Sequence, residues 1–348
     1  MLRFLLHKTF YGILVLIGVV IIVFMLFQGF GDPARLVMGQ SGDSTTIQNV
    51  RKELALDQPK WRQLLLYMND VSPIGIHTEK EIQDKQLKGF FAGGDTKVGI
   101  KIPNLRRSYQ TKRPVIDLLF EALPGTIVLA FSAILFATVV GVALGVLSAV
   151  KQNTWMDTSA VFVSVLGISA PSFFIGIVIA YVFGFLLHDY TGLFMTGSLF
   201  EYHPIDGKQL EIKNLILPAI TLGIRPLAII VQLTRSSMLD VLSKDYIRTA
   251  YAKGLSKKNV LFRHALPNAL NPVVTAITGW FAELLAGAFF VEYIFNWKGI
   301  GKITVDALEN LDFPVVMGSV LITATFFVVV NILADILYGW IDPRARVM

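Results

Sequence analysis

The chain has no cysteine, and charged residues make up only 16% of its 348 positions. The absence of cysteine excludes disulfide bonds and thiol chemistry but does not decide the compartment. Soluble domains contain about a quarter charged residues, so the low charge and a mean hydropathy of +0.60 indicate a chain that crosses a membrane several times. The net charge of +6 is consistent with contact with anionic lipid and does not require nucleic acid as a partner.

Motifs for nucleotide or hydrolytic chemistry are also absent. The sequence contains no G-x-x-x-x-G-K-[ST] phosphate loop, no H-E-x-x-H and no G-x-S-x-G. The five histidines are scattered along the chain. We therefore predict no catalytic residue, no metal site and no cofactor bound by this chain. An intramembrane enzyme would need paired catalytic groups at matched depth, and the sequence offers no recognised set.

Six largely uncharged segments predict an all-α polytopic membrane protein with six transmembrane helices, because ~20 apolar residues cross a ~30 Å hydrocarbon core. They are residues 9–31, 122–150, 159–187, 214–238, 272–291 and 313–341. In the second segment Ala133 and Ala137 are four residues apart, as are Gly141 and Gly145. This spacing of small residues predicts close packing of helix backbones.

The distribution of Lys and Arg predicts that both termini lie in the cytoplasm. With that orientation the cytoplasmic segments carry twelve Lys and Arg and the short external loops carry four, as the positive-inside rule requires. Residues 1–31 then form the N-terminal tail and first span, residues 32–121 an external region, and residues 122–348 a five-helix core. The long external region contains fourteen further Lys and Arg residues. These do not decide the orientation, because long segments cross the membrane largely regardless of charge.

The external region is too polar for lipid and too long for a simple connection. Residues 51–69 predict helical pieces broken at Pro59, and the glycine-rich residues 89–99 predict a loop or a hairpin. We expect the region to form a folded cap, except that residues 77–109 are either part of this cap or a disordered insertion.

A basic stretch between the fourth and fifth spans, residues 244–272, which we call the platform, predicts two amphipathic helices. It overlaps the cytoplasmic connection 239–271, and its final residue begins the fifth span. The apolar stripes are Ile247, Ala250, Tyr251, Gly254 and Leu255, then Leu261, Phe262, Ala265, Leu266 and Ala269. Gly254 is placed to turn the chain, Ser256 to cap the second helix, Pro267 to end or kink it and Pro272 to begin the next span. The platform is either a docking site for a soluble partner or a basic loop held by lipid headgroups.

The spacing of residues in the platform forms a specific motif. Ala250, Gly254, Leu266 and Pro267 stand where the pattern EAA, three residues, G, nine residues, I-x-L-P requires them, whereas Arg248, Thr249 and His264 depart from it. This motif resembles the EAA loop of ABC importer permeases, in the oligopeptide and dipeptide branch. Further segments that resemble this branch are 31–33, 56–59, 123–126, 169–174, 233–238, 295–301 (with Lys298 in place of a proline) and 342–346.

The resemblance covers nearly the whole chain outside residues 77–109. It implies one permease subunit of a type I ABC importer, with an enlarged first external loop, in the cytoplasmic (inner) membrane of a bacterium. It also implies a second, related permease chain as heterodimer partner, two ATPase subunits that carry ATP and Mg, and an external substrate-binding protein that touches residues 32–121. The residues implied to couple the ATPases to transport are Arg248, Thr249, Ala250, Lys253, Gly254, Leu255, His264, Leu266 and Pro267.

The substrate implied by the resemblance is a peptide, with nickel chelates, glycosides or other solutes as alternatives within the same class. A different class, an ion-coupled secondary transporter, would show paired broken helices and internal repeats. The sequence shows no such repeat, and that class leaves the basic platform unexplained.

Two charged residues lie near the middle of predicted spans. Arg225 is about ten residues into the fourth span and Glu283 about eleven residues into the fifth, which places both ~15 Å deep at ~1.5 Å per residue. An isolated charge at that depth costs at least ~2.5 kcal/mol. We expect both side chains to face the bundle interior near a translocation pathway, either as a structural ion pair or as groups that contact the termini of a peptide.

Overall fold

The structure, a computed structural model, describes residues 2–28, 57–203 and 207–341. These residues group into two compact units, which are described separately below. The core unit comprises Met1–Leu5, Leu123–Lys302 and Phe326–Met348, and the N-terminal unit comprises Leu6–Ala122 and Ile303–Thr325. The motif segments 31–33 and 342–346 lie outside the described residues.

Helices make up most of the described chain. They are α1 (Leu2–Gln28), α2 (Lys60–Val71), α3 (Glu79–Asp84), α4 (Val115–Val150), α5 (Trp155–Ser169), α6 (Ser172–Tyr181), α7 (His188–Thr191), α8 (Lys213–Leu242), α9 (Asp245–Ala252), α10 (Lys257–Asn259), α11 (Leu266–Ala269), α12 (Asn271–Gly287), α13 (Phe289–Ile294), α14 (Ile300–Glu309) and α15 (Phe313–Ile341). Two π-helical turns are Val182–Leu186 and Val260–Ala265. The strands are β1 (Ile74–Thr78), β2 (Gly89–Gly93), β3 (Thr96–Lys101), β4 (Phe200–His203) and β5 (Gly207–Leu210).

Four of the helices, α1, α4, α8 and α15, are long and apolar enough to cross a membrane. They occupy the predicted first, second, fourth and sixth spans, although α4 begins at Val115 rather than at residue 122. The predicted third span is not one straight helix, because Trp155–Ser169 and Ser172–Leu186 meet at 110°. Pro171 lies at this break, where its missing N–H prevents a continuous helix.

The predicted fifth span, residues 272–291, is also divided. Helix α12 has 17 residues and ends at Gly287, and the shorter α13 follows after Ala288. By length and apolar character the described residues therefore provide four spans, or five if the bent pair is one span. The number six remains a prediction from the sequence.

Close packing between α4 and α8 forms the centre of the core unit. A Cβ added at Gly141 would lie 2.8 Å from Ile230 Cγ2, and one added at Gly145 would lie 2.5 Å from Thr234 Cβ. Ala133, on the same helix as these glycines, is fully buried. The small residues of α4 thus face α8, which confirms the predicted packing. Leu284 and Leu285 of α12 complete the same apolar cluster.

The N-terminal unit contains a three-stranded antiparallel sheet in the order β1-β3-β2. Strands β2 and β3 form a hairpin, which decides between the loop and the hairpin that the sequence left open at residues 89–99. For residues 77–109 the sequence allowed either a part of the folded cap or a disordered insertion. In the structure these residues supply most of the sheet. Helix α2 begins directly after Pro59, and Tyr67 within it stacks on Phe24 of α1 with ring centroids 6.1 Å apart. The all-α class therefore describes the long helices, and the small sheets are an addition to it.

The sheet of the N-terminal unit exposes its apolar face. Ile74 pairs with Ile100, and Phe90 pairs with the same residue from the other side. Ile100 is 70% exposed and Phe90 is 82% exposed. The opposite face carries the buried His77 and Lys101. Because alternate residues of a strand point to opposite faces, the polar side chains are inside and the apolar ones outside.

A buried carboxylate organises the polar face. Asp70 accepts a hydrogen bond from Lys85 Nζ at 2.6 Å and lies 3.5 Å from Arg106 Nη2. Its backbone carbonyl accepts from Lys101 Nζ at 2.5 Å. Burial lowers the pKa of Lys101, and nearby Asp70 partly offsets this effect. Charge neutralisation around Asp70 thus stabilises the connection between α2 and the sheet.

Replacing Asp70 with Ala should loosen the described part of the N-terminal unit. Removing one member of a buried charge cluster costs about 3 kcal/mol, since its partners are left uncompensated. Protease added outside right-side-out vesicles should then cleave residues 57–114 faster. The control is Glu79→Ala, which removes an exposed carboxylate 2.9 Å from Lys97 and should cost less than about 1 kcal/mol. Equal cleavage of the two variants would contradict the role given to Asp70.

Candidate functional site

The first platform helix, α9, buries one narrow side. Ile247 is 1% exposed and Ala250 is 7% exposed, as the first apolar stripe predicts. Tyr251 was predicted on the same stripe but is 44% exposed. The helix has only two turns, so one residue on each turn faces the protein and its neighbours remain on the rim. Arg248, Thr249 and Lys253 lie on the exposed side.

A Schellman motif ends this helix at Gly254. The Gly254 N–H donates to the Tyr251 carbonyl at 2.9 Å, and the Leu255 N–H donates to the Ala250 carbonyl at 3.3 Å. Gly254 has φ +79°, a left-handed conformation that glycine adopts without Cβ strain. Ser256 Oγ then accepts the Asn259 N–H at 3.4 Å and caps the second helix. Both local predictions are confirmed.

The second platform helix widens before Pro267 instead of ending there. Residues Val260–Ala265 form a π-helical turn, and α11 continues from Leu266 with Pro267 in its first turn. Proline lacks an N–H and crowds the carbonyl four residues earlier, and a wider turn relieves both problems. His264 and Leu266 are half-buried, whereas Phe262, predicted on the apolar stripe, is 54% exposed.

The buried sides of both platform helices pack against the ends of two long helices. The cluster contains Val146 and Ala149 from α4 and Met238 from α8, with platform residues Ile247, Ala250, Val260, Ala265 and Ala269. Asn268 Nδ2 also donates to the His264 carbonyl at 2.8 Å and to Tyr246 Oη at 3.3 Å, which joins the second helix to the first. The platform is therefore fixed to the helix ends and is not a flexible tether.

The opposite surface of the platform is basic and aromatic. Its exposed residues include Lys244, Tyr246, Arg248, Tyr251, Lys253, Lys257, Lys258, Phe262 and Arg263. The ion pair of Arg248 with Asp245, at 3.6 Å, is exposed and contributes at most about 1 kcal/mol. An exposed aromatic group rimmed by cations fits a protein partner with acidic and apolar groups.

A carboxylate clamp, which the sequence analysis missed, fastens the same end of the core unit. Arg235 of α8 donates from Nε to Asp157 Oδ1 at 2.6 Å and from Nη2 to Oδ2 at 2.8 Å. Ser148 Oγ of α4 donates to the same carboxylate. Asp157 is 5% exposed at its side chain. The clamp thus holds α4, α5 and α8 together next to the platform.

A second polar junction brings together two segments that the sequence singled out. Thr126 Oγ1 donates to Glu292 Oε1 at 2.7 Å and accepts the Ile300 N–H at 2.9 Å. The Lys302 N–H donates to Glu292 Oε2 at 3.1 Å, so the carboxylate meets the N-terminal end of α14. Glu292 is fully buried. This carboxylate had no place in the sequence interpretation.

Close backbone approach explains the glycine and tryptophan of these segments. Trp297 Nε1 donates to the Gly125 carbonyl at 2.9 Å. A Cβ added at Gly125 would overlap the carbonyl of Lys298. Because the contact is to the backbone and the Lys298 side chain is exposed, lysine replaces the family's proline there without disturbing the junction.

The expectation that Arg225 and Glu283 face a bundle interior stays a prediction, because the single chain shows only that neither side chain is packed among its own helices. Both are exposed in the single chain. Within the described residues neither forms an ion pair closer than 4.0 Å, so they are not a structural pair with each other. Their depth follows from sequence position, but the direction of each side chain depends on how α8 and α12 rotate about their axes. Their part in transport remains a proposal.

The described residues contain no group of three or more His, Asp or Glu side chains arranged to hold a metal ion. The arrangement that stands out is instead mechanical: a rigid surface platform, a clamp behind it, and two exposed charges on the helices that flank it.

Comparison with known families gives two matches that together cover almost the whole sequence. Residues 141–347 match the model of the binding-protein-dependent transport system inner membrane component, and residues 1–130 match the N-terminal model of the same membrane components.

Similar proteins span the full length of the chain. A dipeptide transport system permease protein, DppB, of Alkalihalophilus pseudofirmus is 35% identical over 99% of this chain and 100% of its own length. The DppB protein of Escherichia coli K12 is 36% identical over 99% of both chains. A glutathione transport system permease protein, GsiC, of Escherichia coli K12 is 33% identical over 97% of both.

A solved structure shares the fold. An inward-facing structure of the MetNI methionine ABC transporter has a chain that is 16% identical, with a TM-score of 0.51, over 65% of this chain and 97% of that one. The core helices thus have the fold of a type I ABC importer permease.

Breaking the clamp should destabilise the protein. Asp157→Asn weakens the bidentate pair and leaves Arg235 without its carboxylate, which costs about 3 kcal/mol for a buried pair. Thermal unfolding of the detergent-purified protein should shift to lower temperature. The control, Asp240→Asn, removes an exposed carboxylate from the same helix α8 and should leave the midpoint within experimental error. An unchanged midpoint for Asp157→Asn would show that the clamp is dispensable.

Stability should also depend on the ionisation of Glu292. Burial raises the pKa of Glu292 to about 7, against opposing hydrogen bonds from Thr126 and from the backbone of Lys302 and Gly301. Because the folded-state pKa is above the unfolded value of 4.5, the contribution is fully present below pH 4.5 and is lost as the pH rises to about 7. Its size is about 3 kcal/mol. In thermal unfolding across pH 4–8, the stabilities of wild type and Glu292→Gln should differ in their dependence on pH between pH 4.5 and about 7, and should run parallel above pH 7. Parallel curves throughout would contradict this assignment.

Proposed function

The chain belongs to the family of binding-protein-dependent transport system inner membrane components, and on that premise we propose that it is the permease subunit of an ATP-driven peptide importer. The observation that carries the proposal is the platform. Its apolar side packs on the ends of α4 and α8, and its exposed side presents cations and aromatic rings. Such a surface both docks a soluble subunit and transmits its displacement to membrane helices.

The proposed coupling surface divides into two groups of residues. Arg248, Thr249, Lys253 and Gly254 are exposed and face the ATPase subunit. The remaining group, which holds the platform in shape, consists of Ala250, Leu255, His264, Leu266 and Pro267. ATP and Mg are carried by two separate ATPase subunits, since this chain has no phosphate-binding loop. When the ATPases close, the platform moves as a rigid body, and the carboxylate clamp extends that movement to α5.

The remaining partners follow from the same family. A second, related permease chain pairs with this one, and an external substrate-binding protein delivers the solute to residues 32–121. The termini lie on the cytoplasmic side of a bacterial inner membrane, as the Lys and Arg distribution predicts. The alternative, in which lipid headgroups hold the platform as a basic loop, is less favoured, because the buried residues of the platform pack against α4 and α8 of the protein itself.

A peptide is the favoured substrate. The similar permeases are named for dipeptide and glutathione transport. Nickel chelates and other solutes are the alternative substrates within the class. A competition assay, in which an unlabelled solute inhibits uptake of a labelled dipeptide, distinguishes these alternatives. Unlabelled dipeptide, but not a nickel chelate, should inhibit uptake of a labelled dipeptide by the complete transporter.

Gly254→Trp should uncouple transport from ATP hydrolysis. A Cβ at this position meets no atom within 4 Å, so the indole projects from the platform toward the docking side and not into the core. Losing ~1.4 kcal/mol of docking free energy lowers occupancy tenfold, so ATP-driven dipeptide uptake in proteoliposomes should fall by at least that factor. The amount of inserted protein should not change.

The matched control is Gly254→Asn. Asparagine tolerates the left-handed backbone at φ +79° and adds little bulk, so uptake should stay near the wild-type rate. If Gly254→Trp transports as well as Gly254→Asn, the platform does not couple the ATPase to the pathway.

A further inference from the structure

Helix α12 exposes a polar stripe, in contrast to the exposed surfaces of α5 and α6 in the same unit. Asn271, Thr275, Gly279 and Glu283 recur every four residues, and all four are exposed. Residues four apart lie on one face of an α-helix. The stripe runs from the platform end of α12 toward its middle and ends on a carboxylate.

A lipid-facing surface looks different in the same unit. On α5 and α6 most of the exposed side chains are apolar, as at Phe162, Leu166 and Phe174. The buried residues of α12 are apolar, among them Val273, Ala282 and Leu285. Only water or a polar partner accommodates an ionised carboxylate on the exposed side at this depth.

The second charge lies on the neighbouring helix α8. Arg225 is exposed, whereas Thr221, Leu222 and Ala228 on the adjacent turns are buried. Along their helices, Arg225 is seventeen residues before the platform end of α8 and Glu283 is twelve residues after the platform end of α12. At ~1.5 Å per residue the two charges lie ~26 and ~18 Å from those ends. The carboxylate of Glu283 and the guanidinium of Arg225 thus lie at comparable depth, and they do not form an ion pair with each other.

We infer that the α12 stripe lines the translocation pathway, and that Glu283 and Arg225 contact the terminal ammonium and terminal carboxylate of the passing peptide. The inference rests on the proposed function and names the residues that recognise the substrate. A zwitterionic peptide carries one charge of each sign, and the two side chains are complementary to both. Each contact is a single charge pair beside water, which is weak enough to release the peptide.

The absence of cysteine from the sequence makes a direct test available. Single cysteines are placed at Thr275, Gly279 and Glu283 in the complete transporter in membrane vesicles, and labelling of this chain by water-soluble thiosulfonate reagents is measured by mass. All three positions should react. The matched control is Phe174→Cys, an exposed position on the apolar surface, which should react at least tenfold more slowly because the reagent does not enter lipid.

Reagent charge tests the role of Glu283. At Gly279→Cys, one turn from the carboxylate, a cationic reagent should react roughly tenfold faster than an anionic one of similar size. Adding Glu283→Gln should abolish that preference, and adding Glu292→Gln should not. A dipeptide with free termini, delivered with its binding protein, should slow labelling at Gly279→Cys, where Glu283 is intact, whereas it should leave labelling at Phe174→Cys unchanged.

Three results would overturn the inference. Labelling along the stripe that is as slow as at Phe174→Cys would mean that a lipid or the partner permease covers it. A charge preference that survives Glu283→Gln would remove the carboxylate from the pathway, and labelling unaffected by the dipeptide would remove the peptide contact. Because the labelling needs no ATP-driven uptake, these outcomes are distinct from failure of the proposed coupling, which the Gly254 variants measure.

Discussion

Close contact between α4 and α8 is the constraint on which the rest of the core unit depends. Gly141 and Gly145 contribute no side chain at this contact, so that Ile230 and Thr234 of α8 approach the backbone of α4 closely. In a membrane such contact supplies packing energy that the hydrophobic effect does not. The platform and the clamp are both attached to the same end of this helix pair, through Met238 and Arg235 of α8. A displacement of the platform therefore moves an already rigid pair, and no intermediate loop absorbs it.

The polar groups of the core unit are used in two different ways. Asp157 and Glu292 are buried and satisfied, by Arg235 in one case and by Thr126 with backbone N–H groups in the other. Arg225 and Glu283 are exposed. Buried, satisfied charges fix helices in position, whereas exposed charges on a membrane helix require an aqueous surface. The first kind holds the helices in place, and the second kind is the basis of the proposed pathway for a polar solute.

Local features of this fold were predictable from the sequence, and long-range ones were not. The turn at Gly254 and the cap at Ser256 depend on a few consecutive residues. Arg235 and Asp157 are separated by 78 residues, and Thr126 and Glu292 by 166, so no spacing rule joins them. In β1 the alternation of isoleucine with glycine and histidine indicates a strand. It does not say which face is buried, and here the charged cluster at Asp70 draws the polar face inward.

The π-helical turn at Val260–Ala265 has a consequence for the rotational phase of everything that follows it. A π turn closes its hydrogen bond over five residues instead of four, so it accommodates one more residue than an α-helical turn. Each residue advances an α-helix by ~100°. Deleting one residue from this turn would therefore rotate Glu283 by about a quarter-turn, toward the buried position now held by Ala282. The wider turn that makes room for Pro267 thus also sets the direction in which the side chains of α12 point, and such a deletion would alter the exposed surface of that helix without changing a single side chain there.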